Sequence, residues 1–88
     1  MVRVDRASEI SQVLDRWRAT LLKKKNVIGV GYGFKRRGGR STDIPAILVY
    51  VTRKVPLKSL PPEERIPPWL EGWPTDVVEA GDIKAYRT

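Results

Sequence analysis

An alternating run of apolar residues and glycines occupies the middle of the chain, over residues 27–35. Successive side chains of a β-strand point to opposite faces, so the run predicts one strand with two unlike faces. One face carries four apolar side chains, Ile28, Val30, Tyr32 and Phe34. The other carries three glycines, Gly29, Gly31 and Gly33. Glycine weakens a strand, so three on one face indicate that some other group approaches the backbone closely.

The elements on either side of this strand follow from residue spacing. Apolar residues three and four apart predict a helix over about 8–25, with its stripe at Ile10, Val13, Leu14, Trp17 and Leu21. A second strand over about 44–54 has apolar residues on both faces, which is typical of a central strand. The short basic loop between the two strands, residues 36–43, predicts an antiparallel hairpin.

Residues 55–74 form a connection that contains six of the seven prolines. Proline fixes φ and removes a backbone donor, so no long regular element is expected there. Trp69 and Trp73 lie among these prolines, and their apolar area favours packing back onto the sheet. A third short strand follows over 75–79. We therefore expect a single α+β domain, with an N-terminal helix packed on a three-stranded sheet.

Composition excludes several classes of function. The 88 residues contain no cysteine and no histidine, so this chain alone provides no thiolate metal site and no histidine-based catalytic unit. Asp76, Glu79 and Asp82 read as solvated charges rather than as a metal site. We therefore expect no enzymatic activity, no cofactor and no metal. No apolar run approaches the roughly 20 residues that span a bilayer, and no signal peptide is visible, so the expected location is cytoplasmic.

The net charge of +7 is unevenly distributed, because residues 1–58 carry a balance of +10 and residues 59–88 a balance of −3. Such asymmetry indicates a basic face able to meet an acidic partner, although plain solubility explains it equally well. Nucleic-acid binding is accordingly the alternative function. Its candidate phosphate-binding residues are the lysines after the helix and the basic residues of the hairpin: Lys23, Lys24, Lys25, Lys35, Arg36, Arg37 and Arg40.

Two nucleotide-related motifs do not fit the central run. A dinucleotide-binding loop needs a strand before its glycines and a helix after them, whereas here a helix precedes and a basic turn follows. An RNA-recognition strand needs exposed aromatic residues and a partner strand with its own aromatic. Tyr32 and Phe34 share a face with Ile28 and Val30, so we expect both rings in the core.

The order of segments resembles a known module. The segments are Leu21–Lys24, Asn26–Gly33, Ala46–Val51, Arg53–Pro56, Leu60–Pro61, Ile66–Pro67 and Gly72–Glu79. Over about residues 21–83 they are similar to the N-terminal module of poorly characterised bacterial proteins that carry a trypsin-like peptidase domain downstream. The resemblance implies a small α+β leader module in front of a protease-like domain, and no catalytic residue is carried over from it.

These observations predict a non-enzymatic interaction module that docks on a peptidase-like domain or pairs with itself. The expected interaction surface is the glycine face, with the two tryptophans at one end and a partner, most simply a second copy, over the rest. Its residues are Gly29, Gly31, Gly33, Leu48, Tyr50, Trp69 and Trp73.

Overall fold

A computed structural model describes residues 6–80, with one helix and four strands. The strands form one sheet in the order β1-β2-β4-β3. The Pro-rich connection contains two single 3-10 turns, Leu57–Ser59 and Pro62–Glu64, followed by the short strand β3 and the start of β4. The main elements are α1 (Arg6–Leu22), β1 (Val27–Arg37), β2 (Arg40–Val51), β3 (Trp69–Leu70) and β4 (Trp73–Glu79).

The sheet is mixed because its two halves are connected differently. β1 and β2 are antiparallel and are joined at Gly38 and Gly39, whose φ angles of 56° and 79° match the positive values that tight hairpin turns require. The Pro-rich connection then carries the chain back across the molecule, so β4 pairs with β2 in parallel. The two-residue β3 pairs antiparallel with the start of β4.

The core lies between the helix and one face of the sheet. The helix buries four apolar residues at helical spacing, and the central strand β2 buries alternate residues against them. Ile66 of the Pro-rich connection and Trp73 of β4 pack against this cluster. The buried cluster consists of Ile10, Val13, Leu14, Leu21, Ile47, Val49, Val51 and Leu70.

The α+β class and the helix-on-sheet packing are confirmed, while several boundaries differ from the prediction. The sheet has four strands rather than the three expected, because two residues of the Pro-rich connection form β3 beside β4. The helix ends at Leu22 rather than near residue 25, because the lysines form a turn that leads to Asn26 at φ 71°. The expected basic loop shrinks to two glycines, so β1 and β2 extend through most of residues 36–43. β2 stops at Val51 instead of 54, and β4 starts at Trp73 instead of 75.

The far end of the hairpin bends towards β4. A register irregularity lies between Phe34 and Arg36, and bulges of this kind bend a strand and increase its twist. Just beyond it, the Lys35 Nζ donates a hydrogen bond of 3.1 Å to the carbonyl of Thr75. The backbone nitrogen of Arg36 donates one of 2.8 Å to Asp76 Oδ2. These two hydrogen bonds join β1 to β4, which are separated by β2 in the sheet.

Candidate functional site

The glycine face of β1 is approached by side chains of the neighbouring strand. A methyl group built on Gly33 would lie 3.1 Å from Leu48 Cδ1, which is tighter than an ordinary contact. Equivalent groups on Gly31 and Gly29 would lie 3.8 and 3.9 Å from the ring of Tyr50. The close approach that the glycines indicate is thus made within the sheet, by Leu48 and Tyr50 leaning over β1.

The two tryptophans do not sit together on that face, contrary to expectation. Trp73 packs against the helix-side core. Trp69 belongs to β3, at the opposite edge of the sheet from β1, and is exposed. It pairs with Pro74 of β4. Residues on a strand alternate between faces, so neighbouring strand positions such as Trp73 and Pro74 point to opposite sides. Of the seven expected interaction residues, the structure brings together the three glycines, Leu48 and Tyr50.

The other face of β1 exposes apolar side chains that were expected in the core. Ile28, Tyr32 and Phe34 are 39%, 48% and 54% exposed, and we call these three residues the outer stripe. β1 is an edge strand of the sheet, and the core cluster is built from residues of the helix, β2 and β3. Within β1, Val27 and Val30 pack against the core. The expectation of buried aromatic rings at Tyr32 and Phe34 is therefore wrong.

A groove opens at one end of the outer stripe. It has a volume of about 480 Å³ and lies between the first turns of α1 and the end of the β1–β2 hairpin. Apolar surface predominates, and Asp43 is the carboxylate among its lining residues. The groove and the outer stripe are continuous, because Tyr32 and Phe34 belong to both. The lining residues are Ala7, Ile10, Tyr32, Gly33, Phe34, Asp43 and Pro45.

Several of the basic residues considered for phosphate binding make bonds within the chain. Lys24 Nζ donates to the carbonyl of Glu63 at 2.7 Å, and Lys35 Nζ to that of Thr75 at 3.1 Å. Arg36 Nη2 donates to the carbonyl of Gly39 at 3.0 Å. Lys23, Lys25, Arg37 and Arg40 have exposed side chains. The basic residues form two groups, one before β1 and one at its end.

A polar cluster that the sequence did not indicate joins the helix to the β3–β4 turn. Arg16 donates to the carboxylate of Glu71 through Nε at 3.1 Å and Nη2 at 2.5 Å, and Trp17 Nε1 donates at 2.9 Å. Glu71 occupies the turn at φ 51°, followed by Gly72 at φ 89°. The hydrogen bonds from Arg16 and then Trp17 lower the pKa of Glu71 from 4.5 to about 2. The cluster fastens the middle of the helix to the sheet.

No group of three or more metal-ligating side chains lies together within residues 6–80. Over the same range, every buried side-chain nitrogen or oxygen has a hydrogen-bond partner. In this part of the chain the helix is also too short and too polar to cross a bilayer. The described residues also include an exposed apolar surface, the outer stripe with its groove.

The fold thus defines the class of the protein. It is a small α+β domain with a mixed sheet and an edge strand, β1, that exposes apolar side chains. Residues 12–83 match the NARROW LEAF 1 N-terminal domain, and the chain belongs to that family. It is 51% identical over 57 residues to Protein NARROW LEAF 1 of Oryza sativa subsp. japonica. The matched region covers 59% of this chain and 10% of the rice protein.

This family membership corrects the resemblance drawn from the order of segments. The chain matches the N-terminal domain of a plant protein rather than a bacterial peptidase-associated module. The segments quoted for the resemblance, from residue 21 to about 83, fall inside the matched range 12–83. The assignment of these segments to a module of bacterial peptidase proteins was therefore wrong.

Proposed function

We propose that this domain is a non-enzymatic module that docks on another protein surface. The observation that supports the proposal is the outer stripe on the edge strand β1, in which Tyr32 and Phe34 are alternate residues that border an apolar groove. Ile28, the third member, is separated from them by Val30, which packs against the core. Single exposed apolar residues are common, but contiguous apolar patches in soluble proteins tend to be interaction sites. The stripe replaces the glycine face as the proposed docking surface, because Leu48 and Tyr50 already lie over the glycines.

The partner is a surface elsewhere in a longer protein or a second copy of the chain. The chain spans about a tenth of the length of the rice relative, which leaves a large remainder on which such a module could dock. A peptidase-like partner is no longer proposed, because it depended on the corrected resemblance. Burial of Tyr32 and Phe34 against a partner would contribute the aromatic anchors that dominate many interfaces.

The proposal predicts a cross-link that depends on position. A benzophenone-bearing phenylalanine in place of Phe34 keeps the ring, and irradiation in cells that express the protein should join it to a protein segment identified by mass spectrometry. The same group in place of Leu57, which is 64% exposed on the Pro-rich connection against 54% for Phe34, is the control. We expect a defined cross-link from position 34 and at most diffuse products from position 57. Equal products from both positions would contradict the proposal.

Nucleic-acid binding is the second candidate, because Arg37 and Arg40 are exposed and face each other across the end of the hairpin. If these arginines contact phosphate, replacing Arg36, Arg37 and Arg40 with glutamine should weaken binding to generic DNA and RNA alike. The slope of affinity against salt should also become shallower. Lys58→Gln, a change of one exposed charge outside both basic groups, is the control. Absence of retention on nucleic acid at about 50 mM salt would eliminate this candidate.

A further inference from the structure

The outer edge of β1 is a long stretch of strand whose backbone pairs with β2 on one side only. Within residues 6–80 no strand is hydrogen-bonded to its other side. Between the two register irregularities, positions 29–34 pair regularly with β2, so this part of the strand is straight enough to accept a neighbour. Unpaired strand edges attract further strands, and proteins usually protect them with charges, proline or short length. Positions 29–34 carry no charge and no proline.

Charge surrounds this edge at both ends. Lys23, Lys24 and Lys25 precede β1, and Lys35, Arg36 and Arg37 end it. Three of these six side chains, those of Lys24, Lys35 and Arg36, donate to backbone carbonyls within the chain. One carboxylate lies at each end, because Glu64 accepts a hydrogen bond from the backbone of Lys25 and Asp76 accepts one from the backbone of Arg36. Three cations against one carboxylate leave each end with a net positive charge, so an uncharged strand of six residues lies between two basic groups.

Self-pairing along this edge is unfavourable. A two-fold axis would place the basic end of one β1 beside the lysines that precede the other, and the symmetry would repeat this contact. Like charges directly opposite each other destabilise a strand pair. A parallel arrangement places each basic group beside its own copy, with the same consequence. The charge pattern thus disfavours a second copy and favours an acidic partner.

We propose that the outer edge of β1 binds an extended segment of a partner protein, which adds a fifth strand to the sheet. This inference rests on the proposed docking function and specifies its partner. Backbone hydrogen bonds along positions 29–34 hold the segment, and its alternate apolar side chains contact the outer stripe and the groove beside Tyr32 and Phe34. Acidic residues at both ends of the segment meet the two basic groups, which determines specificity more than affinity.

Synthetic peptides test this directly with the 88-residue chain. The probe is a peptide of alternating valine and threonine with two glutamates at each end. We expect saturable binding at about 50 mM salt, weakened at least tenfold when lysines replace the glutamates, because charge complementarity selects the partner. A third peptide, methylated on alternate backbone nitrogens, keeps the side chains and loses donors, and should not bind. Equal affinity for the glutamate and lysine peptides would overturn the proposal.

The position of binding is tested by backbone NMR of the wild-type chain. Amide shifts on addition of the glutamate peptide should concentrate in residues 28–34, and shifts concentrated in β3 or β4 would overturn the assignment. Phe34→Ser should weaken binding about tenfold, the equivalent of 1.4 kcal/mol. Leu57→Ser, an exposed leucine outside the sheet, should leave it unchanged.

A further pair of variants tests whether the position of a charge beside β1 affects affinity, or only the net charge of the chain. Arg37→Glu should reduce affinity for the glutamate peptide, whereas Lys58→Glu, with the same change of net charge, should have a smaller effect. A concentration-dependent dimer in light scattering whose β1 amides are protected would show that a second copy occupies the edge, and would overturn the acidic-segment assignment. If position 34 forms a defined cross-link but no peptide binds, the docking function stands and strand addition is wrong.

Discussion

Replacing Leu21 with alanine is expected to lower the free energy of unfolding by roughly 3 kcal/mol. The Leu21 side chain has no exposed surface and lies in the cluster that joins the helix to β2. Truncation removes its transfer energy and leaves a cavity that a small, rigidly bounded core fills only in part. A domain of this size has a total stability of about 5–15 kcal/mol, so the loss is a large share of it.

The next residue along the helix provides a matched control. Leu22 has the same side chain and is 43% exposed, so Leu22→Ala should change the stability by no more than about 0.5 kcal/mol. Urea unfolding followed by tryptophan fluorescence gives both values, and the comparison holds if the slopes of the two transitions agree. Similar losses for the two variants would mean that the helix is rotated relative to the sheet.

Local periodicity predicted the elements of this fold well. The spacing of Ile10, Val13, Leu14 and Leu21 defines a helical stripe, and all four residues are buried as that stripe requires. Apolar residues on both faces of β2 correctly indicated a central strand, since β2 lies between β1 and β4. The predicted hairpin loop is longer than the turn in the structure, because a run of basic residues resembles a loop. Gly38 and Gly39 alone form the turn, and both have the positive φ angles that a tight turn requires.

The exposure of the site could not be predicted from the sequence, because it depends on contacts between distant parts of the chain. Alternation shows which residues of β1 share a face, but it does not show how much of that face the helix covers. Tyr32 and Phe34 look like core residues by alternation, yet they border an open groove beside the first turns of the helix and both rings are exposed. Strand order arises from long-range pairing, here the parallel contact between β2 and β4 that the Pro-rich connection permits.

The three glycines correctly predict a close approach to the backbone of β1, but they do not identify the group that approaches. Three glycines on one face do accompany a close approach to the backbone, and Gly33 in particular has little room for a side chain. The approaching groups come from Leu48 and Tyr50 of the adjacent strand, so this contact gives no argument for a partner. The glycine pattern indicates that some group contacts the backbone. Which residues make that contact depends on the register of β1 against β2.

The cluster around Glu71 could not be predicted from the sequence for a similar reason. Arg16 and Glu71 are 55 residues apart in the chain, and neither belongs to a local motif. Glu71 precedes a glycine in a turn, where a charged side chain is unremarkable. Its role follows only when the β3–β4 turn is folded against the helix, which places one carboxylate within reach of both the Arg16 guanidinium and the Trp17 indole.

Replacing Glu71 with glutamine is expected to reduce stability at neutral pH and to have progressively less effect in acid. The carboxylate of Glu71 has a pKa of about 2 in the folded protein, against an ordinary value of 4.5, so the folded state binds its proton more weakly than the unfolded state. A group of this kind contributes stability that is fully present above about pH 4.5. As the pH falls from there towards about 2, protonation of Glu71 removes that contribution from the wild type alone.

Chemical unfolding of both proteins at several values between pH 7 and pH 2.5 measures this difference. The gap between wild type and Glu71→Gln should be largest at pH 7 and should narrow through the interval that the two pKa values define. Glu63→Gln, which removes an exposed carboxylate from the Pro-rich connection, is the control and should show only a small gap at pH 7. High salt should also reduce the Glu71 gap, since the Arg16 pair is exposed and its attraction is screened. A gap that stays constant from pH 7 to pH 2.5 would mean that Glu71 does not carry its charge into the contact with Arg16. The helix would then be held to the β3–β4 turn without an ionic contribution from Glu71.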